Sequence, residues 1–251
     1  MAPTRDQTHP GAPRDLKRRL IVVQDALSPC PYIDGQAARM PLHYSLAEMD
    51  GLDVDRLLET GYRRSGEFVY VTRCPHCQEC LPTRLPVDRF KYTRGFKRVY
   101  NRAQRELTWT WAEPVVNNDR VAMYNRHRAA RDLSHGGGPI VADDYRAFLI
   151  DSCFPSLELS VYRDGQLVAV SIMDVGARAV SAVYTHFDPD ASRFSLGTLA
   201  VLLMQRWAAE QKRDWLYLGL FVEQNRHLNY KSRFRPQQRR IHERWVDIAA
   251  E

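Results

Sequence analysis

The sequence has no apolar run long enough to cross a bilayer. Leu199-Ala200-Val201-Leu202-Leu203-Met204 is the strongest near the C-terminal third, far short of the roughly 18–20 residues that a span needs; no membrane partner is expected. Residues 1–11 are polar and proline-bearing without an apolar stretch, which argues against a secretory signal. Cysteine is sparse and odd in number: Cys30, Cys74, Cys77, Cys80 and Cys153. An odd set with three members clustered does not suit a secreted disulfide framework and points to a reducing, cytoplasmic setting. A Ser/His/Asp triad, a Walker loop, a Rossmann fingerprint and H-E-x-x-H are all missing. What remains is globular: 251 residues, 44% hydrophobic and 26% charged, enough for one large domain or two small ones and too apolar for a disordered chain.

Hydrophobic patterning predicts strands at 20–23, 67–72, 109–111, 157–162, 167–175, 179–185 and 215–222. Arg163-Asp164-Gly165 is a hairpin turn between two of them. Helices are expected at 53–60, 90–106, 120–131, from Ala142-Asp143-Asp144 to about Ser152, and at 196–211. Asn117 is a natural N-cap for the third. Pro82 and Pro86 mark 81–87 as an extended connector, and 241–248 reads as one short strand. The order of elements changes near 115. This divides the chain into a disordered tail at 1–15, an N-terminal domain at 16–115 and a C-terminal domain at 116–251.

Chemistry concentrates in three places. Cys74-Pro75-His76-Cys77-Gln78-Glu79-Cys80 has C-x2-C-x2-C spacing, too tight for every thiol to pair as a disulfide and suited to zinc or an iron–sulfur cluster. Cys30, in Pro29-Cys30-Pro31-Tyr32, and His76 are candidate fourth ligands. The alternative is a set of reduced thiols on a tight loop, and Cys153 reads as an ordinary buried thiol. The net charge is +6, from 36 Lys+Arg against 30 Asp+Glu, but it is not evenly spread. Between Arg84 and Arg105 the only acid is Asp88, and Lys91, Arg94, Arg98, Arg102 and Arg105 fall on one helical face. Such a face neutralises phosphates; a solvated helix surface is the bland alternative. A second basic stretch runs from Arg226 to Arg240 through Tyr230, Lys231 and Arg233, a composition able to grip a phosphate or carboxylate.

Taken in order, several short motifs resemble one family. They are Gly61-Tyr62-Arg63-Arg64-Ser65-Gly66, the cysteine cluster followed by Leu81-Pro82-Thr83-Arg84, Ser181-Ala182-Val183-Tyr184-Thr185 with Asp188-Pro189, Ser195-Leu196-Gly197, and Tyr230-Lys231-x-Arg233-Phe234-x-Pro236. Together they are similar to the bacterial branch of the arginyl-tRNA–protein transferases, the aspartate/glutamate leucyltransferases, over about 31–236. The resemblance implies an α+β protein. Its C-terminal domain would have the acyl-CoA N-acyltransferase (acetyltransferase-like) fold, beside a smaller N-terminal domain bearing the Cys-rich loop. It implies transfer of leucine from leucyl-tRNA to the N-terminal amine of proteins beginning with Asp or Glu, which marks them for degradation. Gly219-Leu220-Phe221 stands where relatives usually carry Gly-Tyr-Trp, and Leu228 where Met is usual, so leucine versus arginine stays open.

On that reading no cofactor is required for the transfer; zinc or iron–sulfur at Cys30, Cys74, Cys77 and Cys80 is structural. Backbone N–H groups near Ser195, Leu196 and Gly197 are expected to meet the donor and its oxyanion. Tyr184, His186 and Tyr230 are candidate catalytic proton relays. Arg63, Arg64, Lys231 and Arg233 are candidates to read the acidic acceptor side chain, and the 91–105 face to hold tRNA. Competing readings are arginyl transfer, a small-molecule acetyltransferase, for which Arg193–Thr198 is a poor glycine-rich loop, and a non-enzymatic RNA-binding zinc module.

Overall fold

A computed structural model describes residues 19–133 and 137–249; the tail expected at 1–15 lies outside the described residues. The protein is α+β and built around an eight-stranded mixed sheet. In chain order its strands are β7 (Leu81–Pro86), β8 (Thr108–Ala112), β9 (Ser156–Arg163), β10 (Gln166–Val175), β11 (Ala179–Phe187), β12 (Trp215–Phe221), β13 (Gln237–Ile241) and β14 (Arg244–Ile248). Their spatial order is β14-β13-β7-β12-β11-β10-β9-β8. A four-stranded antiparallel sheet carries β1 (Leu20–Gln24), β4 (Leu42–Ser45), β6 (Phe68–Tyr70) and β5 (Arg63–Ser65) in that order. A small ribbon pairs β2 (Leu27–Pro29) with β3 (Ala37–Arg39).

Within the large sheet β11 and β12 form the one parallel pair among the described strands. Parallel neighbours need a crossover, and helix α5 (Leu196–Glu210) supplies it. This helix is buried nearly all round, from Leu196 to Ala208, which explains an apolar run without a polar face. Leu202 and Met204 pack against Met173, Val180 and Leu216 of the sheet, each contributing about 1.5–3 kcal/mol of apolar burial. Helix α2 (Arg94–Glu106) lies in the same cluster through Phe96. On other parts of the sheet sit α1 (Gly51–Glu59), with Leu57 and Leu58 against Tyr217, and α3 (Asn118–Ala130), with Met123 and Tyr124 against Val170 and Ile172. Arg120 fixes α3 to β9 by a buried pair with Glu158 and a bond to Ser160.

Several expectations change. Residues 81–87 are not a connector: β7 lies inside the sheet, between β12 and β13. It pairs with β13 only at Thr83 and Arg84, so Pro82 and Pro86 fall where the strand has a neighbour on one side, β12, and no second ladder requires their missing N–H groups. Residues 241–248 are not a single strand: β13 and β14 form a hairpin closed at His242 and Glu243, both at positive φ. The helix starting at Ala142 (α4, Ala142–Tyr145) passes into a wide π turn over Arg146–Ile150. Its N-cap is Val141, whose N–H donates to Asp144. A cut at 115 runs through the large sheet, because β7 and β8 precede it and the other six strands follow.

Arg84, counted by sequence among the basic surface, is buried. Its guanidinium lies 3.8 Å from the Trp215 ring centre and 4.1 Å from that of Trp245, and donates to Glu59 and Gln238. It joins the C-terminal hairpin to α1 and the sheet instead of facing an RNA.

Candidate active site

The parallel pairing of β11 with β12 lasts only three residues, Ala179–Ser181 with Trp215–Tyr217. Beyond it β12 bulges between Tyr217 and Gly219, with Gly219 at φ 81°, a conformation that glycine adopts without strain. The strands part, and a cleft of about 1430 Å³ opens between Ser181–Thr185 and Leu218–Leu220. The start of α5 faces it. Ser195 precedes the helix in the left-handed region, φ 53°, and its side chain makes no cap bond. The first-turn N–H groups at Leu196, Gly197 and Thr198 therefore meet the cleft without a capping oxygen, at the positive end of a fifteen-residue helix.

The cleft is strongly cationic. Arg63, Arg64, Arg128, Arg131, Arg226, Arg233 and Lys231 line it, against one acidic side chain among the described lining residues, Asp144. These cations differ in what they already hold. Arg64 and Arg63 are neighbours on β5, and their side chains have separate fates. Arg64 is committed: its Nε donates to Asp174 at 2.9 Å in a fully buried pair. Arg63 is 5% exposed; one nitrogen donates to the Tyr62 carbonyl, while Nε and Nη2 are buried without a partner. Burial pulls its pKa below the ordinary arginine value. Lys231, 6% exposed, donates to the Leu220 carbonyl. Burial first, then the like charge of Arg63, pull it down to about 7. Neither cation has a carboxylate partner among the described residues. Arg233, by contrast, is exposed at the cleft edge.

Another part of the cleft is aromatic and apolar. Tyr184 packs on Tyr124 and Phe148, with ring centres 5.4 and 5.6 Å away, and Ile140 and Val183 join them. Burial raises the pKa of Tyr184 and of Tyr230, so both keep their protons at neutral pH.

His186 is a correction to the expected relay set. It is fully buried beneath the cleft and is not among its lining residues. Its Nε2 meets the Tyr145 hydroxyl at 3.4 Å, and burial pushes its pKa down to about 3. Two histidines do line the cleft, His227 and His127 of α3; His127 is held at the Phe187 backbone and pushed down to about 4, mainly by burial. The only sequence signal of His127 is its place on the buried stripe Arg120, Met123, Tyr124, His127.

The four clustered thiols are free and half-buried, and Cys74, Cys77 and Cys80 sit on the irregular segment between β6 and β7. Cys80 is pushed up to about 12 by burial and by Cys30, Cys74 and Cys77 nearby. The donor types suit a soft metal, yet among the described residues no three His, Cys, Asp or Glu side chains stand in an arrangement that could hold an ion. Lys91, Arg94, Arg98, Arg102 and Arg105 are all exposed, the last four on α2.

The profile of the family "Arginine-tRNA-protein transferase, N terminus" matches residues 28–98, and that of the same family's C terminus matches residues 119–241. The chain is 36% identical over 210 residues to the aspartate/glutamate leucyltransferase of Shewanella sp. strain ANA-3, covering 84% of this chain and 87% of that protein. The protein of the same name from Hahella chejuensis is 31% identical, with 92% and 98% covered. Two solved structures are more distant: a C-terminal DUF2156 domain from Agrobacterium fabrum, TM-score 0.44 and 17% identity over 58% of this chain and 48% of that one, and L-PGS from Bacillus licheniformis, 0.41 and 17% over 68% and 50%.

Proposed function

The chain belongs to the arginine-tRNA-protein transferase family, and from that membership we infer that it moves leucine from leucyl-tRNA to the N-terminal amine of proteins that begin with Asp or Glu. It is an enzyme, an aminoacyl-tRNA–protein transferase; the added leucine marks the acceptor for degradation. No helix among the described residues is long and apolar enough to cross a membrane, and the cytoplasm is the compartment where its donor is made.

The observation that carries leucine over arginine is the charge of the cleft. An arginyl side chain would enter a space lined, among the described residues, by seven cationic side chains, of which Arg64 is paired with Asp174, and a single carboxylate, where like charges repel. A leucyl side chain has the Tyr124, Ile140, Phe148 and Tyr184 wall to pack on.

The aminoacyl ester is already activated, so no covalent enzyme intermediate is needed. The acceptor α-amine, with a reference pKa of about 7.7–8.0, is partly neutral near pH 7. The enzyme's work is alignment, worth several kcal/mol, and stabilisation of the tetrahedral oxyanion. The first-turn N–H groups at Leu196 and Gly197 serve the oxyanion. Tyr184 and Tyr230, which keep their protons, are the donors to the leaving ribose oxygen. Arg63 and Lys231 read the acceptor carboxylate, and the exposed α2 face holds the tRNA. A zinc ion or iron–sulfur cluster on Cys30, Cys74, Cys77 and Cys80 would require the loop to draw these thiols closer than they stand here; the transfer itself needs no cofactor.

The test uses labelled leucyl-tRNA and arginyl-tRNA with peptides starting in Asp and in Ala. Leucine should pass to the Asp peptide alone. Preferential transfer of arginine, or equal labelling of the Ala peptide, overturns the reading.

A further inference from the structure

The two basic stretches, far apart in sequence, meet at a second and smaller pocket of about 370 Å³. Arg98 and Arg102 enter it from α2, Arg193 from the 3-10 turn Pro189–Phe194, and Arg233 from the turn Asn229–Arg233. No acidic side chain lines it among the described residues. Two of its arginines are held in place. Arg193 lies over the Phe194 ring at 4.5 Å and pairs with Glu106 at 2.5 Å, while Arg102 donates to the Arg193 carbonyl at 2.6 Å. The side chains of Arg98 and Arg233 make no hydrogen bond or ion pair among the described residues, and Arg233 acts on Tyr230 only through its charge. Ser195 and Arg233 line both this pocket and the main cleft, so an anion held here lies beside the start of α5.

We propose that this pocket binds a backbone phosphate of the unpaired 3′-terminal nucleotides of the donor RNA. The inference rests on the aminoacyl-tRNA reading above and adds to it a fixed point for the strand that carries the ester. Guanidinium forks match phosphate oxygens, and four of them around a cavity of this size define a site rather than a diffuse basic coat. The path is short: the duplex arm rests on the exposed face of α2, the strand passes between Arg98 and Arg233, and the terminal ribose reaches the N–H groups at Leu196 and Gly197. By sequence alone Arg98 and Arg102 point to the tRNA and Arg233 to the acceptor; their shared pocket puts them on one ligand.

The experiment compares three donors with an Asp-starting peptide: leucyl-tRNA, a leucylated CCA trinucleotide and 3′-leucyl-adenosine, which has no phosphate. Arg98→Gln and Arg193→Gln, both at exposed positions, should lose about tenfold or more in kcat/KM on both phosphate-bearing donors, with a smaller loss on leucyl-adenosine. The salt slope on the trinucleotide should become shallower by about 0.7 for each phosphate that a removed arginine had neutralised. A loss on leucyl-tRNA alone places the pocket on the duplex arm and overturns the proposal. Equal losses on all three donors, or none, overturn it as well. If the wild-type enzyme accepts none of the leucyl donors, the transferase reading itself has failed, an outcome distinct from failure of the pocket.

Discussion

Arg63→Gln should make this protein a poorer enzyme and a more stable one. Arg63 is 5% exposed and two of its nitrogens are buried without partners, so the free enzyme carries the desolvation cost of a cation with no anion beside it. In the proposed reaction the acceptor carboxylate supplies that anion. Removing the guanidinium forfeits charge-assisted hydrogen bonds in a desolvated site, worth about 3–4 kcal/mol for two of them, or roughly 200- to 1000-fold in kcat/KM. The loss should fall on peptides starting with Asp and largely spare peptides starting with Asn, measured with labelled leucyl-tRNA. In the same protein, replacing a buried cation that has no anion and two unpartnered nitrogens by a neutral side chain should gain about 1–2 kcal/mol. For a chain of this size that is about 2–8 °C in Tm. Arg64→Gln is the contrast: it strands Asp174 without its cation, costs about 3–5 kcal/mol of stability, and should not change the ratio of Asp to Asn peptides among molecules that remain folded. If Arg63→Gln leaves that ratio intact, or melts earlier as Arg64→Gln does, Arg63 braces the fold and the assignment is wrong.

The remaining predictions follow from the same geometry. With Lys231 at about 7, kcat/KM for Asp peptides should rise with deprotonation of the acceptor amine and fall as Lys231 loses its charge; a falling limb that persists in Lys231→Met assigns it elsewhere. The same shift has a stability counterpart: between about 7 and the ordinary lysine value the unfolded chain binds this proton more strongly, so the contribution of Lys231 to stability rises with pH. Tyr230→Phe should lower kcat by about 10²-fold or more with little change in KM, whereas His186→Gln should alter Tm more than kcat; the reverse pattern would return His186 to the chemistry. Elemental analysis and an absorbance spectrum of anaerobically purified protein should show zinc or iron that is lost in Cys74→Ser and Cys77→Ser, and wild-type protein without either metal rules out the cysteine site.

How much of this is legible in the chain depends on whether a signal is local. The unbroken apolar run of α5 and the strand-favouring apolar stretches of β9, β10 and β11 are local patterns, and the structure follows them closely. β7 is hidden because its prolines carry a local meaning that its neighbours cancel: β12 and β13 arrive from late in the chain. Arg84 reads as surface because nothing near it in sequence reveals Trp215 and Trp245 on either side. Arg63 and Arg64 cannot be told apart by sequence, since the partner that separates them, Asp174, is 110 positions from Arg64. Likewise His127 lines the cleft and His186 lies beneath it because of packing against other elements, which adjacent residues do not encode.

The interleaving of the large sheet bears on the order in which the protein can assemble. Arg84 and Tyr217, which bond across β7 and β12, are 133 positions apart, so on the ribosome β7 waits exposed until most of the chain has been made. Closing a loop of that length is entropically costly, and contacts so distant slow folding. A nascent chain stopped after the cysteine segment and the basic helix would have the thiols and the exposed arginines of α2 but none of the strands that pair with β7. The basic face of α2 and the cleft can therefore mature only together, near the end of synthesis.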